Sequence, residues 1–157
     1  MEHDLDRLLT MSDDIWENSI IPSLSEFISI KALSPLFEPE WRRLGELDAT
    51  IDLFCKWVET QNLNGMTYSV HRIEDRSPVL LITVEGTGPG EIVFYSHLDK
   101  QPSKPELWSE GLGPLKAVRR GPWLFGRGSI DDGYGGYLCV ASLKILQNSS
   151  IPHPKCS

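Results

Sequence analysis

An α/β fold is what this sequence predicts, on three observations. Apolar residues recur at helical spacing as far as Val58. From Thr67 to Ser96 they gather into short β-branched and aromatic runs, and beyond Asp132 the helical period returns. The 157 residues make one ordinary domain, long enough to bury a core between layers of helix and sheet.

The elements follow in order. Ser12-Asp-Asp-Ile-Trp-Glu17 reads as a helix start, with Ser12 as N-cap and acids in the first turn. Trp16, Ile20, Leu24, Phe27 and Ile28 continue that helix, with a kink expected at Pro22. Residues 31–39 hold two prolines and read as a loop. Leu44, Leu47, Ile51, Phe54, Cys55 and Val58 form one apolar stripe, a second helix ending near Gly65. Strands are expected over residues 67–73, 79–84 and 92–96, with a hairpin turn at 74–78 and a glycine-rich turn at 86–90. That glycine run leads into a strand, so it is read as a turn; a dinucleotide-binding loop needs a helix N-terminus. An irregular stretch over 101–113 leaves the end of a strand, where α/β proteins build their sites. Two short strands are expected at 115–118 and 123–125, around Arg119-Arg-Gly-Pro122. A helix over 134–147 is broken by Ile151-Pro-His-Pro154, and Lys155-Cys-Ser157 has the position of the next strand's opening. There are no internal repeats and no low-complexity tracts.

Composition narrows the function classes. With 40% hydrophobic and 24% charged residues, the chain has the make-up of a soluble globular protein. Its net charge of −7 argues against nucleic acid or an anionic membrane surface as a partner. Met1-Glu-His-Asp-Leu-Asp-Arg7 is charged and unlike a signal peptide, and no stretch approaches the ~20 apolar residues of a membrane span. Cys55, Cys139 and Cys156 are odd in number and lack metal-like spacing, which suits a reduced, cytoplasmic protein. Asn148-Ser-Ser150 matches a glycosylation acceptor but is inert in that compartment.

The chemistry gathers in two segments. Val93-Phe-Tyr-Ser-His-Leu-Asp-Lys-Gln-Pro102 carries His97 and Asp99 at the end of the third expected strand. Strand residues alternate faces, so the two side chains point the same way, ~6–7 Å apart. A carboxylate so placed can hold one ring nitrogen while the other binds a metal. Asp131 follows Gly126-Arg-Gly128, whose glycines fit a tight turn that brings backbone close to a buried site. Each residue by itself has a plainer reading. A lone His97 would be a structural histidine, and Asp131 and Asp132 would be N-caps that complement a helix dipole. Taken together, one His, one orienting Asp and one further Asp amount to half of a metal site.

His97-Leu-Asp-Lys-Gln-Pro102, Gly111-Leu-Gly-Pro114 and Gly126-Arg-Gly-Ser-Ile-Asp-Asp-Gly-Tyr134 resemble the dizinc metallopeptidase family of aminoacylases, glutamate carboxypeptidases and carnosinase-like dipeptidases. The likeness runs from about Asp14 to the last residue and is specific between Tyr95 and Tyr134. It implies that His97 binds one zinc, that Asp99 holds the ring and tunes the site, and that Asp131 bridges two zinc ions. It further implies a cis peptide between Asp131 and Asp132, and convergence of His97 and Asp131 to the roughly 3–4 Å that separates neighbouring zinc ligands. A separation beyond ~8 Å would leave the capping reading standing. One departure lies inside the motif. Many relatives carry Lys where this chain has Gly133, and the Gly-Tyr version looks like one branch of the family.

The fold so implied is a three-layer α/β/α zinc-peptidase-like catalytic domain. Residues 1–157 would be its N-terminal part, truncated before the last strands and without the lid or dimerisation domain. The family's Glu-Glu pair (general base and zinc ligand), another carboxylate and a C-terminal histidine cannot be assigned here; His153, flanked by prolines, reads as a loop residue. The implied activity is zinc-dependent hydrolysis of amide bonds in small peptides or N-acyl amino acids, of dipeptidase or carboxypeptidase type. The substrate would be a small peptide or acylated amino acid, and a homodimeric parent enzyme is consistent with the family. The alternative is a non-catalytic fragment with at most a binding role.

Overall fold

The computed structural model describes residues 5–157; the charged start at residues 1–4 lies outside the described residues. The first helix, α1 (Leu5–Ile15), begins earlier than expected, so Ser12 lies within it rather than capping it. The reason is the stripe Leu8, Met11 and Ile15, half-buried where α1 packs on the last helix, which extends the helical pattern upstream. Trp16–Ile20 form a π-helical turn in which the Ile21 N–H donates to the Trp16 carbonyl, five residues back. Helix α2 (Ile21–Ser29) follows, with Pro22 in its first turn. Pro22 has no N–H and its ring would crowd the carbonyl four residues earlier; the wide turn accommodates it.

The expected second helix is two. Gly45, in the left-handed conformation (φ 68°), ends α3 (Trp41–Leu44) and starts α4 (Glu46–Thr60). Leu44 therefore stands outside the main stripe, which buries Leu47, Ile51, Phe54, Cys55, Trp57 and Val58. Helix α4 stops at Thr60, short of Gly65, which instead turns the chain into β1.

Strand β1 (Met66–His71) pairs antiparallel with β2 (Val79–Val84) in register Met66↔Val84. Strand β3 (Glu91–Ile92) is shorter than the expected 92–96. Among the described residues only β6 (Lys155–Cys156) pairs with it, and the last shared bond is Phe94 N–H to the Ser157 carbonyl. Beyond that point Tyr95 to Asp99 have no ladder partner, so His97 sits in extended backbone rather than in a strand. Strands β4 (Val118–Arg120) and β5 (Trp123–Phe125) form a hairpin closed by Gly121 and Pro122. The expected strand at 115–118 is displaced because the Arg120↔Trp123 pair fixes the register from that turn. Helix α5 spans Gly133–Asn148.

The main sheet has the order β1-β2-β6-β3. Strand β6 is antiparallel to β2 and parallel to β3, so α5 is the crossover of a β3–α5–β6 unit. Helices α2, α4 and α5 pack on one another, and the core joins Leu24, Phe27, Ile28, Phe54, Trp57, Val58, Tyr137, Val140 and Ala141 to Val84 and Cys156 of the sheet. Its centre is aromatic. The Tyr137 ring meets Phe54 edge-on at 5.0 Å and Trp57 at 4.5 Å. Both polar tips are satisfied, Tyr137 Oη against Ser23 Oγ and Trp57 Nε1 donating to Ser19 Oγ. His153 is a buried loop residue held by Gln147 and the Pro154 carbonyl. The glycine run is a close backbone approach: Gly88 N–H donates to the His153 carbonyl, and a Cβ on Gly86 would fall 2.2 Å from that same oxygen. Among the described residues no helix is long and apolar enough to cross a membrane, and Cys55, Cys139 and Cys156 are free thiols.

Candidate metal centre

Two loops meet at the open end of the β3–α5–β6 unit. One is the extended run from Val93 to Lys100; the other is the turn from Gly126 to Asp132 that enters α5. His97 and Asp99 also line one end of a cleft of about 540 Å³ between α4, α5 and the sheet.

The His97 ring has an unequal environment on its two sides. Nδ1 lies 3.1 Å from Asp99 Oδ1 and 3.0 Å from the Asp99 carbonyl. Both neighbours are acceptors, so Nδ1 carries the proton and donates. In the neutral ring Nε2 then presents its lone pair, and 3.4 Å away stands Asp131 Oδ1. A lone pair facing a carboxylate oxygen at that distance is a gap that suits a cation. The separation falls within the span expected for two ligand atoms on one zinc. Asp131 is half-exposed.

Asp132 is the residue whose part sequence reasoning missed. It occupies the N-cap position of α5, yet its side chain makes no capping bond. Its carboxylate turns back to accept the His97 backbone N–H at 3.2 Å, and its carbonyl accepts from Ser96 Oγ at 3.3 Å. Side-chain capping therefore does not account for this acid; it ties the second loop to the first. The signal was present in the doubled Asp-Asp, but which of the two faced the ligand could not be read from spacing. The peptide between Asp131 and Asp132 is cis.

The glycines around these acids are dictated by contact. A Cβ on Gly133 would stand 2.3 Å from Phe27 Cε1 and 2.4 Å from the Gly128 carbonyl oxygen. That gives the Gly133 departure a physical reason in this chain: the Phe27 ring fills the space a side chain would need. Gly128 has φ 90°, and its Cβ would meet Phe27 Cε1 at 2.7 Å.

His97 and Asp131 supply two donors of the type zinc takes, with Asp99 behind the ring, so the residues present fit part of a zinc site. Among the described residues no group of three or more His, Cys, Asp or Glu is close enough to hold a metal ion.

Residues 93–156 match the family model described as Peptidase family M20/M25/M40. The search of curated proteins found no match to this chain. Among solved structures, the dipeptidase Dug1p from Saccharomyces cerevisiae superposes with a TM-score of 0.73 at 18% identity, over 99% of this chain and 34% of that one. Human carnosine dipeptidase 1 superposes with a TM-score of 0.68 at 19% identity, over 95% of this chain and 32% of that one. The α/β fold is thus shared with these two dipeptidases, and the chain spans about a third of the length of their structures.

Proposed function

Starting from a segment that matches Peptidase family M20/M25/M40 and a fold shared with dipeptidases, we propose that this chain is the N-terminal part of the catalytic domain of a zinc-dependent hydrolase. The lid domain and the C-terminal part of that domain would lie outside these residues. Its substrates would be small peptides or N-acyl amino acids, cleaved at an amide bond in the dipeptidase or carboxypeptidase manner. The observation that carries the reading is the 3.4 Å approach of His97 Nε2 to Asp131 Oδ1 with Nδ1 anchored on Asp99. His97 and Asp131 would be metal ligands, Asp131 as the bridge between two ions. Zinc bound there would polarise a carbonyl and acidify a water molecule.

This chain's own residues prepare the site. Asp99 fixes the His97 tautomer so that Nε2 is free to ligate. Asp132, through the His97 N–H, keeps the two ligand-bearing loops together. Three free thiols are compatible with a cytoplasmic setting. A homodimeric parent enzyme is compatible with the family.

A second reading, a non-catalytic segment with at most a binding role, is favoured by the missing third ligand among the described residues. On either reading the 157 residues alone hydrolyse little. Loss of a general base typically forfeits ~10²–10⁴ in rate, and an incomplete metal site forfeits the nucleophile too. Reading the gene beyond the Ser157 codon separates the two. A Glu-Glu pair in frame soon afterwards, with zinc-dependent dipeptide hydrolysis by the longer product that Asp131→Ala abolishes, supports the hydrolase. A stop codon, with no turnover by the purified chain, leaves the second reading. Robust turnover by the 157-residue chain, lost in Asp131→Ala, would instead mean that a homodimer completes the site.

A further inference from the structure

Lys100 follows the Asp99 that holds His97, and it is among the most deeply buried residues of the chain, at 1% exposed. A lysine in such a place needs partners for its ammonium. Nζ donates to the Phe27 carbonyl at 2.7 Å, to the Ile28 carbonyl at 3.2 Å and to the Ile30 carbonyl. The Phe27 and Ile28 carbonyls belong to the last turn of α2, where the helix dipole favours a cation, and Ile30 is the residue that leaves the helix. Nζ also lies 4.1 Å from the centre of the Phe27 ring. The backbone of Lys100 is held as well: its N–H donates to the Ala32 carbonyl at 2.8 Å, and its own carbonyl accepts from Ser34 N–H at 3.0 Å.

The second loop rests on the same turn. Gly128 is so close that an added Cβ would meet Phe27 Cε1 at 2.7 Å and Lys100 Cε at 3.0 Å. Gly126 approaches Ile28 and Gly133 approaches Phe27 in the same way. The last turn of α2 is therefore a common platform. The His97 loop is pinned to it by Lys100, and the Asp131 loop lies on it through its glycines.

We propose that Lys100 is a positioning residue whose ammonium, clamped on the C-terminal carbonyls of α2, sets where His97 stands relative to Asp131. Lys100 does not reach the metal centre itself; it acts through Asp99 and the backbone of the loop. The inference rests on the zinc-site reading for its consequence but not for its geometry, and the test separates the two.

The test compares the 157-residue chain with Lys100→Met, reading the His97 ring tautomer by two-bond proton–nitrogen NMR without metal and zinc affinity by chelator competition. Circular dichroism and amide dispersion establish that the variant is folded. The expected result is a folded variant in which His97 loses its single Nδ1–H tautomer and zinc affinity falls about 10-fold or more, the usual range for partners of a metal ligand. Lys100→Gln, which is neutral, shorter and has two N–H donors for three carbonyls, serves if the Met variant does not fold, with the same expectation. A folded variant that keeps the wild-type tautomer would overturn the proposal, whatever its stability. If the wild-type chain binds no zinc, the metal reading fails, and the tautomer still decides the role of Lys100.

Discussion

At the scale of single residues, Lys100 is buried beneath the loop that carries His97, with its ammonium on the carbonyls of Phe27, Ile28 and Ile30. Burial pushes the Lys100 ammonium from its ordinary 10.5 down to about 8, with Glu46 pulling the other way. The folded state thus holds its proton less tightly than the unfolded chain. Between about pH 8 and 10.5 the unfolded state binds more protons, so this residue makes stability rise with pH across that window. Burial raises the thiols of Cys55, Cys139 and Cys156, which works in the opposite direction at alkaline pH. The difference between wild type and Lys100→Met isolates the lysine. In urea unfolding from pH 7 to 10, the wild-type free energy should gain on the variant as pH rises; parallel curves would contradict the assignment. Gly133 offers a second check. Gly133→Ala forces a methyl group against Phe27 and the Gly128 carbonyl and should cost about 1–3 kcal/mol by urea unfolding, the usual range for overpacking.

At the scale of elements, legibility followed the physics that fixes each boundary. Helices α4 and α5 and strand β2 were readable because burial imposes a period on many residues at once. The ends were less so. The Gly45 break depends on one residue adopting φ 68° with open space around its Cα, a choice the apolar stripe does not register. Gly45→Ala should accordingly cost about 1–2 kcal/mol from backbone conformation alone, since a Cβ there meets nothing within 4 Å. A neutral substitution in thermal or urea unfolding would mean that the α3–α4 break is not held by that glycine. The short β3 was unreadable for another reason: an apolar extended run looks the same with or without a partner strand. His97 and Asp99 share a face as alternation predicts, yet what holds them is a pair of loops on α2. That long-range arrangement leaves no local trace beyond the motif letters, so Asp132 and Lys100 passed as parts of a pattern.

At the scale of the whole molecule, the sheet ends in an unpartnered edge. Val93 is 80% and Tyr95 83% exposed, and Ile92 and Phe94 are exposed beside them. In the solved dipeptidases this chain aligns with only about a third of the length. An apolar edge of this kind pairs readily with another chain. Concentration-dependent association is expected in analytical ultracentrifugation, and Val93→Lys with Tyr95→Lys should suppress it; association unchanged by both substitutions would place the contact elsewhere. In the proposed site His97 and Asp131 would be two ligands of a zinc centre. Chelator-competition measurement of zinc binding on the wild-type chain, His97→Ala and Asp131→Ala tests it most directly. Weak binding by the wild type is expected, because His97 and Asp131 are the two candidate ligands brought together among the described residues, with loss of that binding in each variant. Zinc bound equally well by all three proteins, or by none, would contradict it.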